Sequence, residues 1–212
     1  LTILLGLTIL AILLRVFLIQ RPMQHDEAYS AVVFGYRPLI KIITDYHFPN
    51  NHVFHSILVH VSYLLFGPNE WGARFPAFAA SVLTAPFGFI LAKRWYGKTI
   101  ALISGISIAV FPSMIHYAVN ARGYSLIALL TLLIFIMGDY VKRHNNFLVW
   151  CFIAICGALG FFTLPIMAYP LAIFYVWMGF VWLINQFSHR YSKRSFLGYI
   201  LGSGILTILL SL

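Results

Sequence analysis

Long apolar runs alternate with short polar segments along the whole chain of 212 residues. Several runs reach the roughly 20 residues that a transmembrane helix needs to cross the bilayer core. Because the chain is also 61% hydrophobic and 9% charged, the pattern indicates an all-α polytopic membrane protein and not a soluble domain. It predicts seven spans, at residues 1–19, 75–93, 97–116, 122–141, 147–164, 166–186 and 196–212.

Basic residues fall in every second loop between these spans. The clusters are Lys93-Arg94 with Lys98, Lys142-Arg143-His144, and His189-Arg190 with Lys193-Arg194. The positive-inside rule places such loops in the cytoplasm, so the loop at residues 20–74 is predicted to face outward. Eight of the 14 lysines and arginines lie in these clusters, so the net charge of +9 fits cytoplasmic loops, and we expect no nucleic-acid partner.

The external loop contains a segment, residues 53–66, that is apolar enough to resemble an eighth span. It is only 14 residues long, which is short for a crossing. On a helical wheel its polar side chains gather on one side and its apolar side chains on the other. We therefore expect an amphipathic juxtamembrane helix. Its polar side would hold His52, His55, Ser56, His60, Ser62 and Tyr63, opposite Val53, Phe54, Ile57, Leu58, Val61, Leu64 and Leu65.

An earlier segment, residues 28–46, contains Gly35 and Pro38 and is predicted to form a second, broken juxtamembrane helix. The turn between the two helices is assigned to Pro49-Asn50-Asn51. Arg15 lies near the end of the first span, and we expect it to reach the interface by snorkelling.

Asp26 and Glu27 are the most conspicuous polar residues, because they follow the first span directly in a chain with only five acidic residues. Adjacent carboxylates at a helix start point about 100 degrees apart and are suited to separate roles. One could accept a proton while the other orients a basic partner. Capping of the helix N-terminus is the alternative interpretation.

Arg74 and Arg122 stand at the outer ends of two spans, against the positive-inside trend. A planar guanidinium suits a phosphate or a carboxylate, so both are candidates for an anionic substrate. Lipid headgroups, or pairing with Glu70 and Asp26, are the alternatives.

Six histidines fall on the outward side: His25, His47, His52, His55, His60 and His116. His52 and His55 could supply two ligands to a divalent metal, with Asp26 or His25 as a third, although no metal motif is present. We expect no cofactor and keep a metal as an alternative. Cys151 and Cys156 lie five apart in an apolar run and predict neither a disulfide nor a metal site.

Several short motifs occur in a fixed order between residues 25 and 125. They are His25-Asp-Glu-Ala-Tyr29, Asn50-Asn-His52, Phe66-Gly67, Glu70-Trp-Gly-Ala-Arg-Phe-Pro76, Lys93-Arg-Trp-Tyr-Gly97, Phe111-Pro112 and Ala121-Arg-Gly-Tyr-Ser125. The ordered set resembles membrane glycosyltransferases of the GT-C fold, in the group related to protein O-mannosyltransferases and to the aminoarabinose transferase that modifies lipid A.

The resemblance implies a GT-C transmembrane module of about seven spans with two juxtamembrane helices in its first external loop. It implies an inverting transfer of a sugar from a polyprenyl-phosphate donor, on the outer face, to a protein, lipid or glycan acceptor. Asp26 would be the catalytic base, and Glu27, Asn51 and His52 would support or position the acceptor. Arg74, Arg122 and Tyr124 are the expected donor-phosphate contacts.

Two features depart from that family. Many relatives open the second juxtamembrane helix with His-Pro-Pro or Lys-Pro-Pro, where this chain has Asn50-Asn51-His52. Relatives also continue for further spans, so we interpret residues 1–212 as one module truncated at its C-terminus. A bacterial inner membrane is the expected location. A transporter or flippase of lipid-linked substrates, and a non-catalytic membrane subunit, are competing interpretations.

Overall fold

A computed structural model describes residues 1–45, 51–184 and 192–212, and its regular elements there are all helical. This confirms the all-α polytopic class. His47, Pro49, Asn50, His189 and Arg190, which entered the predictions above, lie outside the described residues. The α-helices are α1 (Thr2–Val16), α2 (His25–Tyr29), α3 (Leu39–Thr44), α4 (Val53–Phe66), α5 (Glu70–Tyr96), α6 (Lys98–Val110), α7 (Pro112–Ala118), α8 (Tyr124–His144), α9 (Phe147–Thr163), α10 (Ala168–Leu183) and α11 (Lys193–Ser211).

Each predicted span has a helical counterpart, but the counterparts differ in length. In the described ranges, four helices are long and apolar enough to cross a membrane: α5, α8, α10 with the 3₁₀ turn before it, and α11. The pair α6 and α7 qualifies as a fifth when taken together. The counterparts of the spans predicted at residues 1–19 and 147–164 are α1 and α9, apolar helices of 15 and 17 residues.

The span predicted at residues 97–116 is broken and not continuous. Its two halves, α6 and α7, meet at a bend of 52°. Phe111 is extended at the break, and Pro112 begins α7. Proline has no N–H to donate to the preceding turn, so it starts a helix more readily than it continues one.

The chain divides into two compact units, Leu1–Leu129 and Leu130–Leu212. In the first, α1 packs on α5 and α6 through small residues, among them Ala11, Ala85 and Ala109. Gly105 is required there, because a Cβ at that position would lie 2.7 Å from Leu7. Small residues of this kind let membrane helices approach closely.

The second unit packs α9, α10 and α11 together around Trp150, Phe174 and Phe196, which are all fully buried. Trp150 contacts both phenylalanines edge to face, an arrangement that aromatic pairs prefer. The prediction of a single module over residues 1–212 stays a prediction.

The amphipathic division predicted for α4 is confirmed, and its orientation is informative. His55, Ser56 and Ser62 are buried against the rest of the first unit, whereas Leu64 and Leu65 are exposed. Most of the polar side therefore packs on protein, and Val61, Leu64 and Leu65 of the apolar side face outward, whereas Val53 at the start of the helix is buried. Such a helix suits a membrane environment, where the exposed face meets lipid.

The break predicted in the first juxtamembrane helix is also found. A π-helical turn at Ser30–Phe34 follows α2 and ends at Gly35, and α3 begins after Pro38. A Cβ on Gly35 would lie 2.8 Å from the Tyr63 ring and 3.0 Å from Val59, so glycine permits close contact with α4.

The prediction that Arg15 snorkels to the interface is wrong. Its side chain is fully buried, and its Nε donates to Ser81 Oγ at 2.9 Å. Its Nη1 donates to the carbonyl oxygens of Ala11 and Ala109 at 3.0 and 2.9 Å. The guanidinium therefore finds its partners inside the helix bundle.

Candidate active site

A buried ion pair between Glu27 and Arg74 lies at the centre of the first unit's polar cluster. Each residue is 1% exposed. Arg74 Nε donates to Glu27 Oε1 at 2.5 Å and Arg74 Nη2 donates to Oε2 at 2.9 Å, which is a bidentate arrangement. Two parallel charge-assisted bonds of this kind fix the mutual orientation of both groups.

The same pair also joins other segments of the chain. The backbone N–H of Ala121 donates to Glu27 Oε1 at 2.9 Å, and Arg74 Nη1 donates to the carbonyl oxygens of Ile19 and Arg21. The ends of α1 and α7 are thus connected to α2 and α5 through one carboxylate and one guanidinium. Burying these charges is tolerable because their hydrogen bonds are satisfied.

Asp26 lies next to this pair but in a different environment. Its side chain is 58% exposed, and its Oδ2 accepts from Arg122 Nη1 at 3.3 Å. His25 Nδ1 lies 3.8 Å from the other carboxylate oxygen. Asp26 is therefore a solvent-accessible carboxylate held beside a guanidinium.

His52 fixes the position of the loop that carries Arg122. Its Nδ1 accepts a hydrogen bond of 2.9 Å from the Gly123 backbone N–H. Because a backbone N–H can only donate, neutral His52 must carry its proton on Nε2. That Nε2 lies 3.4 Å from Arg122 Nη2, so two donor groups stand side by side.

Burial keeps His52 neutral. Loss of solvation, with a smaller contribution from the charge of Arg122, lowers the pKa of His52 to about 4. His55 is fully buried, and burial, together with the charges of His52 and Arg122, lowers its pKa to about 3. Both imidazoles are therefore neutral at physiological pH.

Aromatic rings form one wall beside Arg122. The Arg122 guanidinium lies 5.5 Å from the centre of the Tyr124 ring, within cation–π range. Tyr124 contacts the ring of Tyr117 at 4.6 Å between centroids and the ring of His52 at 5.8 Å. The guanidinium is thereby positioned from the side by an aromatic surface.

The structure brings together four of the predicted site residues, Asp26, His52, Arg122 and Tyr124, and buries the other three in the same unit. Asn51 is buried, donates to the carbonyl oxygens of Ile42 and Asp45 and accepts from Ser56, so it holds α3 against α4. Glu27 and Arg74 form the buried pair. Contact of Asn51 with an acceptor and of Arg74 with a phosphate stay predictions, and neither residue faces solvent.

The alternative interpretation that Arg74 and Arg122 pair with Glu70 and Asp26 is correct in part. Arg122 pairs with Asp26, but Arg74 pairs with Glu27 and not with Glu70. Glu27 also accepts from the Gln24 N–H at 3.3 Å, as a capping residue would. Among residues 1–45, 51–184 and 192–212, no three His, Cys, Asp or Glu side chains lie close enough to hold a metal ion.

Sequence reasoning missed the backbone donors of the loop after α7, Ala121 N–H and Gly123 N–H. Their acceptors, Glu27 and His52, are 94 and 71 residues away along the chain, so no local spacing could reveal the contacts. The motif Ala121-Arg-Gly-Tyr-Ser125 directed attention only to its side chains.

An apolar groove of about 290 Å³ runs along the surface of the same unit between α4, α5 and the first turns of α8. Its walls include Leu58 and Leu65 of α4, Phe75 and Leu83 of α5, and Leu126 and Leu129 of α8. The groove begins on α8 only two residues after Tyr124, and on α5 one residue after Arg74.

The family model of the dolichyl-phosphate-mannose-protein mannosyltransferases matches residues 52–212, which is more than half of the chain. The match includes His52, Arg74, Arg122 and Tyr124, and it begins after Asp26 and Glu27. No curated protein and no solved structure matches the chain. On the strength of the family match, the chain belongs to the dolichyl-phosphate-mannose-protein mannosyltransferase family, a family of membrane glycosyltransferases.

Proposed function

We propose that this chain transfers a sugar, with inversion, from a polyprenyl-phosphate donor to an acceptor hydroxyl or amine, with Asp26 as the general base. The single observation that carries the proposal is the contrast at Asp26: an accessible carboxylate, 3.3 Å from Arg122, next to a buried and fully engaged Glu27. Only the first of these two carboxylates is open to a substrate.

The proposed reaction is one displacement at the anomeric carbon. Asp26 removes the proton of the acceptor as the acceptor atom forms its bond to that carbon. The bond from the anomeric carbon to the phosphate oxygen breaks, and its electron pair leaves on the lipid phosphate. The products are the glycosylated acceptor, protonated Asp26 and a polyprenyl phosphate.

Arg122 and His52 fit the role of phosphate contacts. The Arg122 Nη2 and the His52 Nε2–H are both donors, lie 3.4 Å apart, and can bind two oxygens of one phosphate. Negative charge grows on the leaving phosphate in the transition state, so donors fixed beforehand lower the barrier. Removing one such donor typically reduces the rate about 100-fold or more.

The donor's isoprenoid tail fits the apolar groove between α4, α5 and α8. The groove walls are almost wholly hydrocarbon, and on α8 they begin at Leu126, two residues after Tyr124. The tail would occupy this groove while the phosphate lies at Arg122.

The proposed location of the site is the non-cytoplasmic face. The bidentate pair between Glu27 and Arg74 joins the two ends of the segment that contains α4. A segment whose ends are held together begins and ends at the same face of the membrane, which keeps Asp26 and Arg74 on one side. Cysteines introduced at Arg21 and Pro68, one on each side of residues 22–67, should both react with an impermeant reagent from outside. Reaction from opposite sides would contradict the topology.

The test of function is sugar transfer in membranes supplied with a panel of radiolabelled polyprenyl-phosphate sugars. We expect Asp26→Asn to lower transfer at least about 100-fold. Glu70→Gln, which removes an exposed carboxylate at the start of α5, is the matched control and should transfer at the wild-type rate. Wild-type turnover in Asp26→Asn would remove Asp26 from the base role.

Two observations favour the competing transporter interpretation: α6 and α7 form a broken helix, and Arg15 is an ionisable residue buried within the bundle. Both features occur at transport sites. Movement of a fluorescent polyprenyl phosphate across vesicles containing the purified chain, unaffected by Asp26→Asn, would favour transport over transfer.

A further inference from the structure

Arg15 has no carboxylate partner among the described residues, although a buried cation normally requires one. Its Nη2 atom makes no hydrogen bond to the described part of the chain. The other guanidinium bonds go to one hydroxyl and two backbone carbonyls, Ser81, Ala11 and Ala109. A cation that is costly to bury and serves no ion pair needs another explanation.

The explanation lies at the break between α6 and α7. Ala109 is the penultimate residue of α6, so its carbonyl is one of those that a helix end leaves without an intrahelical partner. Arg15 supplies the missing donor from α1. An unsatisfied carbonyl in an apolar bundle would otherwise destabilise the bent geometry.

The same guanidinium reaches the other side of the break through Ser81. The Ser81 hydroxyl accepts from Arg15 Nε and donates to the Met114 carbonyl of α7 at 2.8 Å. Arg15 and Ser81 therefore connect the last turn of α6 to the first turns of α7. They fix the 52° bend from outside the helix.

The bend determines where the loop after α7 lies. Within five residues of the end of α7, the loop supplies Ala121 N–H to Glu27, the Arg122 side chain to Asp26 and Gly123 N–H to His52. We propose that Arg15 is a positioning residue for the active site, acting through Ser81 and the α6–α7 break on the loop at residues 119–123. Its importance to catalysis rests on the proposed function, whereas its effect on the loop does not.

Hydrogen–deuterium exchange of the full chain in lipid nanodiscs tests this directly. In Arg15→Met, which loses the bonds to Ser81 and Ala109, exchange of the amides at residues 119–123 should rise at least about tenfold, the effect of losing one charge-assisted hydrogen bond. Exchange in α9–α11 should not change. Ser81→Ala, which retains the bond to Ala109, should give a smaller rise, and Arg15→Lys should recover part of the protection.

Leu7→Ala is the matched control, since Leu7 is buried on the same helix but makes no bond to the break. It should leave the amides at residues 119–123 unchanged. The double variant Arg15→Met/Ser81→Ala should raise exchange by less than the product of the two single effects, because both residues belong to one network and share the bond between them.

The proposal is overturned if the amides at residues 119–123 exchange at the wild-type rate in Arg15→Met. If Arg15→Met does not fold, the same outcome in Ser81→Ala overturns it. An equal rise of exchange in Leu7→Ala also overturns it. Sugar transfer, measured on the same preparations, should fall about tenfold in Arg15→Met. If the wild-type chain moves no sugar but the exchange pattern holds, the proposed function fails while the positioning role stands.

Discussion

Two consecutive carboxylates at the start of α2, Asp26 and Glu27, form ion pairs in different environments. Glu27 and Arg74 are buried and make six hydrogen bonds that connect four segments of the chain. Asp26 and Arg122 are partly solvated and joined by one contact of 3.3 Å. The buried pair holds the surrounding segments together, and the neighbouring pair keeps a carboxylate accessible to solvent.

The largest expected effect comes from breaking the buried pair on one side only. Glu27→Leu leaves the Arg74 guanidinium buried without its counter-charge, which should cost about 3–5 kcal/mol of stability and abolish sugar transfer. Thermal unfolding in nanodiscs measures the loss.

The double variant Glu27→Leu/Arg74→Met is the control, because replacing a buried pair with apolar residues is often close to neutral. It should be more stable than Glu27→Leu alone. Equal stability of the single and double variants would mean that the charge of Arg74 is not the cause.

A smaller effect, confined to activity, is expected for the exposed pair. Arg122→Met should lower transfer about 100-fold, as expected for loss of one donor to the leaving phosphate. Arg122→Lys retains the charge but not the planar fork, and should fall between Arg122→Met and the wild type. Wild-type transfer in Arg122→Met would show that neither the charge nor the fork of Arg122 is needed.

The stability of the folded chain should fall in acid, because His52 and His55 are buried as neutral imidazoles. His52 and His55 have folded-state pKa values of about 4 and about 3, below the unfolded value of 6.5, so the unfolded chain binds more protons. Stability contributed by the neutral imidazoles is therefore complete above pH 6.5 and falls as the pH is lowered toward 4, by about 1 kcal/mol per histidine at pH 5.5.

Unfolding midpoints measured from pH 7.5 to 5 check this expectation. Protonating His52 also removes the acceptor for the Gly123 N–H. His52→Asn should flatten about half of the pH dependence, and an undiminished slope in this variant would assign the titration to other groups.

The smallest effect should be that of Asp26→Asn on stability. An exposed ion pair contributes about 0–1 kcal/mol, so the unfolding midpoint should stay close to that of the wild type even where transfer is lost. A large loss of stability in Asp26→Asn would show that Asp26, like Glu27, stabilises the fold.

The sequence was sufficient to predict features that depend on local pattern. The amphipathic division of α4 and the breaks at Gly35 and Pro38 follow from periodicity and backbone chemistry, and both are found. The break at Pro112 has a local cause of the same kind, but the continuous hydropathy of residues 97–116 predicts a single span.

Features that depend on distant contacts could not be predicted. Distance from a helix end suggested that Arg15 snorkels, yet its burial is decided by Ser81 and Ala109, which lie 66 and 94 residues further along the chain. Likewise, nothing near Arg74 indicated a partner 47 residues earlier. Candidate residues could be found from their type and position, and their division between support and chemistry required the structure.

The orientation of α4 carries a consequence for handling the protein. A helix that buries His55, Ser56 and Ser62 and exposes Leu64 and Leu65 has the reverse arrangement of a helix in a water-soluble domain. In water without lipid or detergent, this exposed apolar surface destabilises the folded chain. Val61 and Leu65 line the apolar groove, so of these outward side chains Leu64, 75% exposed and outside the groove lining, is the one to replace with lysine when a less apolar surface is wanted.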